Sequence, residues 1–304
     1  MIGPRAAVAT KGQTLYNAAM QNLDPGRAAG AAGAQGLDLA RFDRAGFAVV
    51  RGALAPERIA ALGDEWTGFE RTTLAERPNL LPRDQPAAVF WRHVPGERKR
   101  IRPIDEFPQL RAIAHDPGLA DMVRAIFGHR GVTRPVLRLF EAIVFNKPPR
   151  LGTPLSWHQD ISFFPFEPNN QIALWIPLDR VDGDNGTLRY AVASHKLGPV
   201  RSTDLQTGRD FPGDTRPQIP ADPAAAGFEV VPVVLDPGDL AVHDGGTWHC
   251  STPNLSDRPR RSLSIRYLVG ETRYAPTRGS AATFVEQVNV RPGEMIEGPI
   301  FPVL

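Results

Sequence analysis

His158 and Asp160, in the stretch Ser156-Trp157-His158-Gln159-Asp160, are metal-competent side chains spaced i and i+2. On an extended strand that spacing turns both to one face, because side chains alternate with period two. An imidazole and a carboxylate on one face can hold a divalent metal ion, provided a third ligand arrives from elsewhere. The other histidines are His93, His115, His129, His195, His243 and His249. The choice falls mainly on His243 or His249, in or just after a late strand at Asp239–His243. Two histidines and one carboxylate make a facial triad, which leaves adjacent iron positions open for a bidentate co-substrate and O2. Zinc competes for such groups, but a catalytic zinc site typically leaves a single open position and prefers other ligand sets.

These residues need strands to carry them, and the chain changes character to supply them. Before residue 133 it reads as helical: Ala55-Pro56-Glu57 opens a helix with Ile59, Leu62 and Trp66 at helical spacing. A second helix covers roughly Gly118 to Phe127, stopped by Gly128. A short strand follows Phe42-Asp43-Arg44-Ala45-Gly46. Beyond residue 133, strand candidates recur at Val136–Asn146, Leu155–Ile161, Ile172–Asp179, Thr187–Val192, Glu229–Leu235, Asp239–His243 and Arg261–Val269. Turn residues separate them, notably Asp182-Gly183-Asp184-Asn185-Gly186 and Asp236-Pro237-Gly238. Such a series predicts a mainly β fold, an antiparallel sandwich or jelly roll with flanking N-terminal helices. Residues 198–227, rich in Pro, Asp and Arg, interrupt it as one long loop of the kind that often covers a site. Residues 1–36, ending in an Ala/Gly-rich stretch, read as a flexible arm, leaving 37–304 as one domain.

Composition narrows the class. The 28 glycines and 30 prolines favour a turn-rich β fold over a helical bundle. A formal net charge of +2 is too small for a nucleic-acid binder, whose surface carries strong basic stripes. No apolar run is long enough to span a membrane. The lone cysteine, Cys250, excludes an internal disulfide framework and fits a reducing, cytoplasmic setting.

Three blocks then resemble the phytanoyl-CoA dioxygenase family. The first is Phe145-Asn146-Lys147-Pro148-Pro149 with Trp157-His158-Gln159-Asp160 and Phe163-Phe164-Pro165-Phe166. The second runs from Ala173-Leu174-Trp175-Ile176-Pro177-Leu178 through Asp184-Asn185-Gly186-Thr187-Leu188 to Ser194-His195-Lys196-Leu197-Gly198. The third is Pro237-Gly238-Asp239-Leu240, His249-Cys250-Ser251 and Pro253-Asn254-Leu255-Ser256-Asp257-Arg258-Pro259-Arg260-Arg261. The resemblance implies a double-stranded β-helix, a cupin-like jelly roll, using Fe(II), 2-oxoglutarate and O2. It implies His158, Asp160 and His249 as iron ligands and Arg260 as the clamp on the far carboxylate of 2-oxoglutarate. Arginine suits that task because its planar fork meets a carboxylate bidentately and stays charged. Ser251 and Trp175 match family positions close to 2-oxoglutarate.

The same resemblance casts His243 as a neighbour of the ligands and His195 as structural, while Cys250 should face away from the metal. Arg258 and Arg261 read as solvated. Asp160 stands where related halogenases carry a small residue, which argues for oxygen transfer, desaturation or ring formation. The expected activity is hydroxylation of a small organic acid, acyl-CoA or secondary metabolite, releasing succinate and CO2. A non-catalytic jelly-roll binding protein is the alternative. Candidates for substrate contact are Gln159, Phe163, Phe164, Phe166, Trp91 and Arg102, the last beside the basic run Arg98-Lys99-Arg100.

Overall fold

The computed structural model describes residues 36–76, 89–93, 107–150, 154–201, 203, 209–210, 213–276, 291–298 and 301–304. The chain enters through helix α1 (Leu39–Ala45), whose first turn is capped by the Asp38 carboxylate accepting from the Arg41 amide at 2.9 Å. Strand β1 (Phe47–Val50) and helix α2 (Pro56–Glu76) follow, then β2 (Val89–His93), α3 (Pro108–Ala114) and α4 (Pro117–His129). The β region comprises β3 (Leu137–Lys147), β4 (Leu155–His158), β5 (Phe166–Glu167), β6 (Gln171–Pro177), β7 (Leu188–Ala191) and β8 (Val230–Pro232). It continues through β9 (Leu240–Asp244), β10 (His249–Ser251), β11 (Arg260–Val269) and β12 (Arg273–Tyr274).

All the strand pairings are antiparallel. A six-stranded sheet runs β1-β9-β6-β11-β3-β2 and a four-stranded sheet runs β4-β10-β7-β8, with a short β12-β5 ribbon beside them. This is the jelly-roll architecture that the strand series and the resemblance imply. Alternation gives the large sheet two different faces. Leu263 and Ile265 of β11, Leu174 and Ile176 of β6 and Val242 of β9 belong to the core that the helices cover. The helices bring Ile59, Leu62 and Trp66 from α2 and Met122, Val123 and Ile126 from α4. The opposite face looks into the barrel and is unusually polar, with Glu141, Lys147, His243, Arg260, Ser262, Ser264 and Arg266 all buried. Polar side chains survive burial only when they are hydrogen-bonded or paired, so this face marks where chemistry is to be expected.

Several sequence expectations change. The strand expected at Leu155–Ile161 ends at His158, and Asp160 instead opens a 3-10 turn, Asp160–Ser162. Gly245 explains the stop. The Ile161 amide donates to its carbonyl at 3.0 Å, and a Cβ there would come within 2.8 Å of Gln171 and 2.9 Å of Ile161. The turn therefore closes directly onto backbone. Gly128 lies inside α4, which runs on to His129. Of the long loop at 198–227, Val200 and Ile219 pack on Trp248, and the Val200 carbonyl accepts from Ser162 Oγ at 2.6 Å. The arm up to residue 35 lies outside the described residues.

Phe164 and Phe166 are also corrected. They are buried in an aromatic cluster with Phe140, Phe301, Tyr274 and Leu268, where Phe140 meets them edge-on at 4.7 and 5.0 Å. Their role is packing between β3, β5 and the C-terminal residues. Phe166→Ala should therefore cost about 3–5 kcal/mol of stability, as deletion of a core aromatic does. Urea denaturation checks this, and a shift under about 1 kcal/mol would mean that the ring faces an open pocket.

Candidate metal and co-substrate site

Sheet register brings the two imidazoles together. His249 on β10 lies opposite His158 on β4 and opposite Tyr190 on β7, and the two histidine rings stand 4.1 Å apart. Asp160 joins them through the turn that follows β4. One ligand atom from each of His158, Asp160 and His249 lies within 4.8 Å of the others, and all three residues are buried. The 3-10 turn thus replaces the same-face strand geometry expected from the i, i+2 spacing, with the same result.

The donor set fits a divalent cation. His158 Nδ1 donates to the Ser156 carbonyl at 2.7 Å and His249 Nδ1 to the Thr247 carbonyl at 2.9 Å. A carbonyl can only accept, so each ring carries its proton on Nδ1 and leaves the Nε2 lone pair free. Burial holds both rings in the neutral form, reinforced for His249 by the neighbouring His158 and His243. His243 is placed differently. Its Nε2 donates to Asp160 Oδ2 at 3.2 Å and its Nδ1 accepts from the Tyr190 hydroxyl at 3.1 Å. Both its nitrogens are engaged, which leaves His249 as the third ligand candidate.

Asp160 must stay ionised in a setting that opposes it. Burial raises its pKa, but the charge of Arg266 and the hydrogen bond from His243 overcome this and hold it well below the usual carboxylate range. Arg266 Nη2 donates to Asp160 Oδ1 at 2.7 Å while Nη1 bonds Glu141. Arg266 and Glu141 are cross-strand partners on β11 and β3. Burial opposes the Arg266 charge too, but the two carboxylates raise its pKa above the ordinary value.

A second group of basic residues lies at the start of β11, where it pairs with the end of β3. Arg260 donates from Nε and Nη2 to the Gly186 carbonyl at 3.1 and 2.8 Å, and from Nη1 to Ser262 Oγ at 3.0 Å. Its guanidinium carbon stands 5.4 Å from the ring centre of Trp175. Lys147, opposite Arg260 in the ladder, donates to Ser251 Oγ at 2.8 Å. Arg260, Trp175 and Ser251 are thus gathered in one buried region.

Gln159 is a correction: it is fully buried, and its amide nitrogen donates to the Gly198 and Gly246 carbonyls. Its amide oxygen accepts from Ser162 Oγ and the Val200 amide. It ties loops together and has nothing left for a substrate. Phe163 is half-buried with its ring edge toward His158 at 5.9 Å. His195 Nε2 donates to the Asp43 carbonyl at 3.1 Å, a structural tie. Cys250 is buried and free, its thiol pushed up to about 12 by burial. Arg258 pairs with Asp182 and Arg261 with Asp179. Trp91 lies on β2 opposite Val144, but its side chain, like all of Arg102 and the Arg98-Lys99-Arg100 run, lies outside the described residues. Glu141, Arg266 and Lys147 escaped the sequence reading as site residues. Their signal was a charge interrupting, or ending, an otherwise apolar strand.

The chain matches the family model for phytanoyl-CoA dioxygenase over residues 42–262. Among curated proteins it is 25% identical over 253 residues to the peroxisomal phytanoyl-CoA dioxygenase of Rattus norvegicus, covering 79% of this chain and 70% of that one. It is 29% identical over 162 residues to phytanoyl-CoA dioxygenase domain-containing protein 1 of Mus musculus, which spans 53% of each chain, about half their length. Among solved structures, the non-heme alpha ketoglutarate dependent carbocyclase SnoK from nogalamycin biosynthesis superposes with a TM-score of 0.66 at 19% identity, covering 90% of this chain and 99% of that one. No helix among the described residues is long and apolar enough to cross a membrane. With the family model spanning most of the chain and a buried His-Asp-His cluster at its centre, the chain belongs to the phytanoyl-CoA dioxygenase family of Fe(II)/2-oxoglutarate-dependent oxygenases.

Proposed function

We propose that this protein hydroxylates a small organic substrate, an acid, acyl ester or secondary metabolite, at an iron centre held by His158, Asp160 and His249. The observation that carries the reading is the buried triad of donor atoms with both imidazole Nε2 atoms unclaimed and Asp160 ionised. Iron, 2-oxoglutarate and O2, when bound together, supply the oxidative decarboxylation that yields succinate and CO2 and the oxidising power to turn C–H into C–OH.

The chain's own work is ligation, orientation and dryness. His158 and His249 present neutral nitrogens fixed by their backbone acceptors. Arg260, with Trp175 under its guanidinium and Ser251 nearby, receives the far carboxylate of 2-oxoglutarate. Arg266 and His243 hold the Asp160 carboxylate from its two oxygens, so its orientation is set before any metal arrives. The carboxylate at position 160 occupies the place a halide would need, which supports oxygen transfer. Phe163, half-buried and edge-on to His158, offers an apolar contact to the substrate. A cytoplasmic setting agrees with a single cysteine that is buried and free.

The test is succinate formation dependent on Fe(II) and 2-oxoglutarate across a panel of acyl-CoA esters, free acids and amino acids. Product mass then separates oxygen insertion from desaturation or ring closure. His158→Ala and Asp160→Ala should abolish succinate release, and turnover surviving in either would sink the assignment.

The orienting network yields a separate expectation. Arg266→Met leaves Asp160 and Glu141 buried without their cation, so it should lower stability by about 3–5 kcal/mol. It should also weaken Fe(II) binding about 10–100-fold, as loss of an outer hydrogen bond to a ligand typically does. Anaerobic metal titration of the folded variant reads this out; unchanged affinity would show that Arg266 balances charge without orienting Asp160.

A further inference from the structure

We propose that Lys147 is a second cationic anchor for the far carboxylate of 2-oxoglutarate, sharing it with Arg260; this rests on the co-substrate reading above. The starting observation is a pairing that a protein alone would avoid. Register sets Lys147 directly opposite Arg260 on β3 and β11, and the two residues are only 4% and 2% exposed. Like charges opposite one another on paired strands are destabilising. Burial strips away the water that would screen them.

Among the described residues neither basic group hydrogen-bonds or pairs with a carboxylate. Lys147 Nζ donates to Ser251 Oγ at 2.8 Å and to the Thr252 carbonyl at 2.6 Å, both neutral acceptors. Arg260 spends its donors on the Gly186 carbonyl and Ser262 Oγ, neutral as well. Asp179, the carboxylate whose charge reaches Arg260, is bound by Arg261 at 2.7 Å. Burial, then the charge of Arg260, draws the Lys147 ammonium down to about 6, and burial draws Arg260 down to about 9. Among the described residues this region is short of negative charge, and a single anion between the two groups would favour the charged form of both.

The length of that anion follows from β10. His249 and Ser251 are two residues apart on one strand, so their side chains share a face with Cα atoms about 7 Å apart. Lys147 holds Ser251, at the far end of that span. A molecule chelated beside His249 must therefore carry its anion several bonds from the chelating end. A five-carbon 2-oxo diacid does so, and a 2-oxo monoacid leaves both cations unmet. A protonated lysine also keeps an N–H beyond those given to Ser251 and Thr252. Gly186 completes the cradle: its φ is +91°, and a Cβ would stand 2.9 Å from the Thr252 carbonyl oxygen and 3.0 Å from Lys147 Cδ. Any side chain there would push the lysine aside.

The rival role for Lys147 is a plain structural tie between β3 and the segment after β10. Binding separates the two. Fe(II)-loaded protein is titrated anaerobically with 2-oxoglutarate and with 2-oxopentanoate, the same chain lacking the far carboxylate, following the visible band of the iron chelate. Lys147→Met should weaken 2-oxoglutarate about tenfold or more and leave 2-oxopentanoate within about twofold. Lys147→Gln, whose amide can still donate to Ser251 and Thr252, serves if the methionine variant fails to fold, and it should show the same selective loss. Equal affinity of wild type and variant for 2-oxoglutarate, or equal weakening of both acids, overturns the proposal while leaving the enzyme reading intact. Failure of wild type to bind either acid overturns the enzyme reading together with the proposal.

Discussion

An aspartate that must remain ionised out of reach of water is the constraint on which the rest of this structure depends. Asp160 is 2% exposed, and at that depth a carboxylate without a partner would take up a proton instead of offering a ligand. Arg266 prevents this, and Glu141 in turn balances Arg266, so the charge of the site is settled along β11 and β3 before any ligand arrives. The long antiparallel register between those strands is therefore part of the site's electrostatics. A slip of one residue would turn Arg266 to the helix-covered face and leave Asp160 without its cation.

The same ladder carries opposite logic at two places. In its interior a cation faces an anion, Arg266 against Glu141; at its first pair a basic residue faces a basic residue, Arg260 against Lys147. The pair of Arg266 and Glu141 is complete in itself and holds Asp160 in place. The pair of Arg260 and Lys147 is incomplete in itself, and on the proposal above its missing charge comes from what binds. On that proposal the barrel interior selects a molecule with a metal-chelating head and an anionic tail. Burial sharpens the selection, because unpaired charge costs most where water is least available. The contrast between two buried arginines makes the point: Arg266, flanked by carboxylates, is raised above its ordinary pKa, whereas Arg260, flanked by neutral acceptors, falls to about 9.

Much of this was legible in the sequence, and what was missed has physical causes. His158 and Asp160 were readable as a pair because ligand type and spacing are local signals. Spacing left His243 and His249 both open, and only the family resemblance pointed to His249. The period-two pattern after residue 133 announced the sheets. The strand carrying Asp160 was read too long, since its end depends on the backbone of Gly245 arriving from β9, far along the chain. Phe164 and Phe166 were read toward the substrate because they follow the ligands in sequence. Their true neighbours, Phe140 and Phe301, come from a distant strand and from the C-terminus. Gln159 was misread for the same reason, being held by the carbonyls of Gly198 and Gly246. Glu141 and Arg266 are 125 residues apart, and only the fold shows that two isolated charges in apolar strands are one pair.

A crystal structure grown without oxygen, with Fe(II) and 2-oxoglutarate bound, tests the central claim most directly. The account predicts one metal ion bonded to His158, Asp160 and His249, with the far carboxylate of 2-oxoglutarate between Arg260 and Lys147. A metal held by His243 in place of His249, or a far carboxylate lying away from both cations, would contradict it.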